Sequence, residues 1–265
     1  MTQHQEKLNR ISALLIDAGQ TIIMPAFSEY ASTNDVKEDG SVVTETDLAC
    51  QQYISTQLAA AWPDIGFLGE EMTREGQLSC LHSGESFWCL DPLDGTSNFI
   101  ASFPAFALSL ALIEKGRPTL GCIVDPVRKE TFSAAHGQGA FLNNAPINAR
   151  SVSKLNEAIG FVDFKRLDAN RRGILSTPGL YRSQRNIGTC ALEWAWLAAG
   201  RGQFIIHGGE KIWDFAAGSL IAAEAGCTLT DFSGKPLFEE LHPASSILAS
   251  ASENLHETLL HFVRT

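Results

Sequence analysis

The 265-residue chain has no Cys-x-x-Cys pair, no internal repeat, no low-complexity tract and no Pro- or Ser-rich linker. Its six cysteines (Cys50, Cys80, Cys89, Cys122, Cys190, Cys227) are dispersed, which argues against a disulfide framework and for reduced thiols in a cytoplasm. The opening MTQHQEKLNR lacks the apolar core of a secretory signal, and no run approaches the roughly 20 uninterrupted apolar residues that span a bilayer. A soluble, cytoplasmic protein without a membrane partner is expected. Basic residues are also scarce: 20 Lys+Arg face 30 Asp+Glu, a formal net charge of −10 that repels nucleic acid and anionic membranes at long range. Only 10 residues are proline and 19% are charged, against 45% apolar, so broad disorder is excluded. A chain of this length can bury roughly three quarters of its unfolded surface without covalent staples.

Apolar spacing of three and four over Leu8, Ile11, Leu14, Leu15, Ala18 and Ile22 predicts one amphipathic helix, and a second follows Thr46-Asp47, whose short polar side chains suit an N-cap. The polar segment Ser32 to Gly40 between them reads as an exposed loop. Short apolar runs at 66–68, 87–90, 107–113, 120–124 and 131–135 read as strands, with turn signals at Lys115-Gly116-Arg117-Pro118 and Asp125-Pro126 that predict an antiparallel meander. Helices over 191–199 and 215–225 then alternate with strands at 203–207 and 227–230, and a last helix covers about 252–263. The expected architecture is a layered α+β or α/β sandwich, with helices against two sheets.

The densest chemistry is the string Asp91-Pro92-Leu93-Asp94-Gly95-Thr96-Ser97-Asn98-Phe99, directly after an apolar strand. Pro92 removes a backbone donor, so the strand is expected to end there and bring Asp91 and Asp94 together. Gly95 permits an unusual backbone conformation, and Thr96 and Ser97 are placed to cap a short helix whose free amides face an anion. Carboxylates for a metal and amides for a phosphate thus lie within a few residues. The calcium-loop pattern fails here, because Leu93, Gly95, Thr96 and Ser102 occupy its third, fifth, sixth and twelfth positions. An aspartyl-phosphate D-x-D-G-T motif fails as well, with Pro92 where its nucleophile would stand. Gly69-Glu70-Glu71, Thr44-Glu45-Thr46-Asp47 and Trp213-Asp214-Phe215-Ala216-Ala217-Gly218 complete the acidic set.

In their order and separation, the G-E-E, D-P-L-D-G-T-S-N-F and W-D-F-A-A-G blocks resemble the inositol monophosphatase family of metal-dependent phosphatases, and the resemblance runs along nearly the whole chain. It implies one phosphatase domain over 1–265, with a metal-binding lobe to about 150 and a substrate lobe from about 151 to 265. It implies that Glu70, Asp91 and the Leu93 carbonyl hold a first cation, that Asp91, Asp94 and Asp214 hold a second, and that a weaker third lies near Glu70. Asp47 and Thr96 would orient or deprotonate the attacking water, with Glu70 counted among the catalytic groups, and the amides of Gly95 and Thr96 would hold phosphate oxygens. Hard oxygen donors, with no His or Cys in the motifs, favour Mg²⁺, Mn²⁺ being possible. The implied activity is Mg²⁺-dependent hydrolysis of a small polyol phosphate, with myo-inositol 1-phosphate as first candidate. Lithium sensitivity and a homodimer are implied too.

Substrate contacts are expected from Asp94, Asp214, the Gly188-Thr189-Cys190-Ala191 turn and His207. His207 stands seven positions before Asp214, where the inositol-specific branch commonly carries an acid. The departure leaves open 3′-phosphonucleotides, histidinol phosphate, fructose 1,6-bisphosphate or NADP as substrates, and a protein-binding role in transcription beside weak activity. Glu210 is a nearby substitute acid, Asp163, Lys165 and Arg166 are either substrate-facing or a solvated cluster, and Trp194 and Trp196 are expected in the core or an interface. Lys37 loosely matches the family's cation-sensitive loop.

Overall fold

Residues 107–114 show how the layers arise: Leu108, Leu110 and Leu112 enter one apolar core, while Ala107, Ala111 and Ile113 enter another, as the two-residue period of a pleated strand requires. The computed structural model describes residues 3–32 and 45–264. Within them a seven-stranded sheet runs in chain order through β1 (Gly66–Gly69), β2 (Phe87–Asp94), β3 (Ala107–Glu114), β4 (Arg117–Asp125), β5 (Glu130–Ala135), β6 (Ala140–Leu142) and β7 (Ala145–Ile147). β1 and β2 are parallel and the rest form the expected antiparallel meander. A five-stranded sheet takes up the later chain, with β8 (Ile159–Asp163), β9 (Ser183–Arg185), β10 (Phe204–Lys211), β11 (Thr228–Thr230) and β12 (Ala244–Ser250) in the order β11-β12-β10-β8-β9.

Nine α-helices are described: α1 (Gln3–Ala18), α2 (Met24–Ser32), α3 (Glu45–Ala61), α4 (Arg74–Leu81), α5 (Thr96–Ile100), α6 (Ala169–Leu175), α7 (Cys190–Ala198), α8 (Ile212–Glu224) and α9 (Glu253–Val263). The leucine face of the first sheet packs on Leu8, Ile11 and Leu15 of α1 and Ile54 and Leu58 of α3. Its alanine face receives α7 and α8, where small residues set the spacing: a Cβ on Gly121 would lie 2.8 Å from the Ala217 carbonyl oxygen, and one on Gly218 2.3 Å from the Trp194 Cβ. Phe161, Ile205, Ile247 and Ala249 of the second sheet close the same core from the other side, while Val162, Phe204, Ile206 and Leu248 face α6 and α9. The succession is helices, sheet, helices, sheet, helices, the layered sandwich expected from the sequence.

Two expectations are corrected. The first helix is not uniform: after Ala18 a π-helical turn (Gly19–Ile23) leads into α2, and the inserted residue keeps both Ala18 and Ile23 fully buried. The helical run 4–29 is long and apolar enough to cross a membrane, yet Leu8, Ile11, Leu15, Ala18 and Ile23 are at most 2% exposed against the sheet. Asp47 is not an N-cap either, because α3 begins at Glu45 and places it inside the first turn. The polar loop expected over 32–40, with Lys37, lies beyond Ser32 outside the described residues.

Candidate active site

Strand β2 does not stop at Pro92 as its sequence suggests; it continues to Asp94 through an irregularity. Asp91 pairs with Ser109 and Asp94 with Ala107, so three steps along β2 answer two along β3. In a regular strand residues three apart face opposite sides. The extra residue of the bulge turns Asp91 and Asp94 to the same side and gives Pro92 a place that needs no ladder donor. The sequence implied the convergence of these acids but not the device that produces it.

Asp214, in the first turn of α8, arrives from the layer above: single oxygens of Asp91, Asp94 and Asp214 all lie within 4.8 Å of one another. Its Oδ2 accepts the Lys211 amide at 3.0 Å. Glu70 follows β1 and shares a hydrogen bond with Asp91. Burial raises the pKa of every member, and mutual repulsion adds to it for most. Glu70 moves up to about 7 and Asp94 to about 6, while Asp91 and Asp214 lie well above the carboxylate range. Asp94 is eased by donors: its Oδ2 accepts from Thr189 Oγ1 at 2.5 Å and the Ala191 amide at 2.6 Å. Thr189 caps α7, so Asp94, carried by the first sheet, is fastened to the helix layer between the sheets.

Three carboxylates, Asp91 buried, Asp94 nearly so and Asp214 half-buried, meeting with one oxygen each, suit a divalent cation with hard oxygen preferences, since unpaired charge away from water is costly. The Leu93 carbonyl, in the bulge, has one acceptor direction taken by Thr96 Oγ1 at 3.0 Å. Thr96 Oγ1 also lies 3.3 Å from Oδ1 of the buried Asp47, which brings these expected partners together. Gly95, at φ 95°, caps α5, so Thr96 opens that five-residue helix and does not cap it. A Cβ on Gly95 would meet the Ala105 carbonyl oxygen at 3.0 Å and Thr189 at 3.2 Å, in a left-handed conformation that favours glycine.

These groups line a cleft of about 610 Å³. Its lining includes Glu70, Asp91, Leu93, Asp94, Gly95, Thr96 and Asp214, and with them Gly188, Thr189, Cys190, His207, Asp163, Lys165 and Arg166. His207 is 2% exposed: its Nδ1 accepts the Gly209 amide at 3.2 Å and its Nε2 lies 3.1 Å from Asp163 Oδ2. Burial lowers its pKa to about 4 despite Asp163, so the ring stays neutral at pH 7. Glu210 is not among the cleft residues. It is buried behind them, with Oε2 accepting from Trp194 Nε1 at 2.8 Å. Glu71 is half-buried at the rim, Trp194 lies in the core, and Trp196 packs against Arg128 and Arg201.

Sequence reasoning missed Glu193, Asn186 and Asn98. Glu193 is 5% exposed, lines the cleft and accepts the Ile187 amide at 2.7 Å; burial pushes its carboxyl up to about 8. It is the one acid of the apolar helix CALEWAWLA, a signal that was available. Asn98 donates to the carbonyls of Ala105 (2.7 Å) and Ile187 (2.8 Å), tying α5 to the turn before Thr189.

The layered fold and its carboxylate cleft define a hydrolase of phosphate monoesters whose family depends on metal ions. The chain belongs to the inositol monophosphatase family, whose profile matches residues 4–265. An "Inositol monophosphatase 1" of Solanum lycopersicum is 34% identical over 266 residues, covering 96% of this chain and 94% of the relative. A "Nus factor SuhB" of Xylella fastidiosa is 35% identical over 216 residues, 79% of this chain and 76% of the relative. A "Fructose-1,6-bisphosphatase/inositol-1-monophosphatase" of Thermotoga maritima is 35% identical over 203 residues, 73% of each. Among solved structures, a Zymomonas mobilis inositol monophosphatase superposes with a TM-score of 0.84 at 26% identity, over 100% of both chains.

Proposed function

We propose that this protein hydrolyses the phosphomonoester of a small polyol with Mg²⁺, myo-inositol 1-phosphate being the first substrate to test. The observation that carries the proposal is the meeting of Asp91, Asp94 and Asp214 within 4.8 Å at the base of the cleft, with Glu70 bonded to Asp91. Divalent cations bound there would neutralise the phosphoryl group and acidify a water. Glu70, Asp91, Asp94, Asp214 and the Leu93 carbonyl are the groups that would hold two ions, or three with a weaker one near Glu70; Mn²⁺ suits the same donors.

The chain's own residues supply the rest. Asp47 and Thr96, within hydrogen-bond reach of each other, would orient the attacking water and take its proton, an arrangement worth about 10²- to 10⁴-fold. The amides of Gly95 and Thr96, at the cap and first residue of α5, would hold phosphate oxygens. Thr189 and the Ala191 amide fix Asp94 so that it need not reorganise during turnover. Cys190, Gly188 and His207 form the wall against which the leaving alcohol would rest. Cytoplasmic residence, homodimer formation and lithium inhibition belong to the same proposal.

The test is phosphate release by the purified protein from a panel of myo-inositol 1-phosphate, histidinol phosphate, a 3′-phosphonucleotide, fructose 1,6-bisphosphate and NADP. Release that requires Mg²⁺ or Mn²⁺ and stops on chelation is expected. Total inactivity across the panel would overturn the catalytic reading in favour of the protein-binding role suggested by relatives named Nus factor SuhB.

A further inference from the structure

Beside the acid cluster, three side chains of different chemistry converge. Cys190 opens α7, His207 lies in β10, and Glu210 follows three residues later in the same strand. One ligand atom from each, the Cys190 Sγ, a ring nitrogen of His207 and a Glu210 carboxylate oxygen, all lie within 4.8 Å of one another. Cys190 Sγ stands 4.0 Å from His207 Nε2. Residues three apart in a regular strand face opposite sides. Here the register against β12 shifts, so that three steps from His207 to Glu210 answer two from Ile247 to Ser245, and both side chains come to one side. The chemistry proposed above uses Cys190 and His207 as a wall and Glu210 not at all.

Glu210 marks the cluster as a place for a ligand. It is 1% exposed; its Oε2 accepts from Trp194 Nε1 at 2.8 Å, while its Oε1 is buried without any hydrogen-bond partner. A bare buried acceptor of this kind costs about 1–3 kcal/mol. Burial first, and then neighbouring negative groups, favour the protonated forms of the Cys190 thiol and the Glu210 carboxyl. A divalent cation that displaced those two protons would leave the net charge of the buried site unchanged. Thiolate, imidazole and carboxylate are the donors that Zn²⁺ takes, with a further position left to water, and a thiolate turns Mg²⁺ away.

Ligation through Nε2 asks the His207 ring to carry its proton on Nδ1, so the Gly209 amide, 3.2 Å from Nδ1, must turn aside. The strand irregularity permits this: Gly208 and Gly209 fall between the paired residues of β10 and β12, and a Cβ on Gly209 would meet nothing within 4 Å. Asp163 Oδ2, 3.1 Å from Nε2, adds a negative charge beside the ion. Arg166 NH1 lies 3.4 Å from the same nitrogen, but it is drawn to Asp163 at 2.7 Å, and its side chain is 53% exposed, with solvent to move into.

We propose that Cys190, His207 and Glu210 bind a Zn²⁺ ion, and that this ion, standing in the wall against which the leaving alcohol rests, competes with substrate. The competition rests on the phosphatase activity proposed above; the ion site does not.

Co²⁺ is the probe for the site, because a cobalt–thiolate bond absorbs in the near ultraviolet and the oxygen donors of the acid cluster give no such band. With Mg²⁺ in excess to fill the acids, the purified protein should take up one Co²⁺ per chain with that band, and Zn²⁺ should bleach it. Cys190→Ala should abolish the band. Glu210→Gln should weaken Co²⁺ binding by more than the roughly 10- to 100-fold that loss of a supporting partner costs. A wild type without the band, or a band that persists in Cys190→Ala, overturns the site. In phosphate release from myo-inositol 1-phosphate at saturating Mg²⁺, Zn²⁺ should raise KM and leave kcat nearly unchanged. Glu210→Gln should match the wild type without zinc and resist zinc when it is added. Equal zinc inhibition of the two proteins would put the inhibiting ion on the acids and overturn the competition. Inactivity across the whole substrate panel with the band intact overturns the phosphatase reading and leaves the ion site standing. If Glu210→Gln does not fold, loss of the band and of zinc inhibition in Cys190→Ala decides.

Discussion

Exchanging Asp94 for Asn separates the cost of the acid cluster from its use. In the metal-free protein the Asp94 pKa rises from 3.8 to about 6, chiefly through burial and in spite of hydrogen bonds from Thr189 and the amides of Ala191, Cys190 and Gly95. The folded protein therefore binds more protons than the unfolded chain between those two values. Its stability falls as pH climbs through that window and is fully reduced above about 6. The rise corresponds to about 3 kcal/mol. An amide in the same place keeps an oxygen toward Thr189 and Ala191 but weakens two charge-assisted bonds, returning about 1 kcal/mol. The metal-free Asp94→Asn protein should thus be about 2 kcal/mol more stable at pH 7.5. For a chain of this size that is a melting temperature higher by about 4–8 °C. Thermal unfolding after chelation measures it directly. Added Mg²⁺ should stabilise the wild type and do little for the variant, whose phosphate release should fall by roughly 100-fold or more. A variant that melts below the wild type without metal, or that turns over at the wild-type rate, would refute the reasoning.

Thr189→Val removes both the hydroxyl bound to Asp94 and the cap of α7; a loss of about 2 kcal/mol in urea unfolding is expected, with Thr189→Ser close to the wild type. Asn98→Ala leaves the Ala105 and Ile187 carbonyls without their donor and should cost about 2–3 kcal/mol. It should also raise KM by loosening the turn that leads to Thr189, and an unchanged KM would show that the turn holds without it. Gly218→Ala drives a Cβ to 2.3 Å from that of Trp194 and should cost about 1–3 kcal/mol or more. Wild-type thermal stability in that protein would contradict the close approach of α7 and α8.

The acids were legible in the sequence because each sits in a short block whose neighbours have their own reasons to be there: a proline, a glycine, a helix-opening tryptophan. The meander was legible from its turn residues, and the alternation of large and small side chains in 107–113 already contained the two faces of the sheet. What escaped depends on contacts between distant segments. The bulge at Pro92-Leu93 is visible only in the register against β3. The neutralisation of Asp163 requires Arg166 from its own turn, Asn186 from after β9 and His207 from β10, and no local pattern joins them. The π turn at 19–23 answers to packing on both of its flanks, which propensity along a single helix does not register.

The irregularity in β2 also says something about how such a catalyst can change. Excising one residue between Asp91 and Asp94 would give a tidier ladder and would still leave both acids on a common side, because residues two apart in a strand share one. A comparison of carboxylates alone would score that shortened protein as intact. It would lack the bulge that offers the main-chain oxygen of Leu93 to Thr96 and the displaced stretch of backbone that delivers Thr96 to Asp47. Sequence length across this interval is therefore as telling as the identity of the acids that bound it.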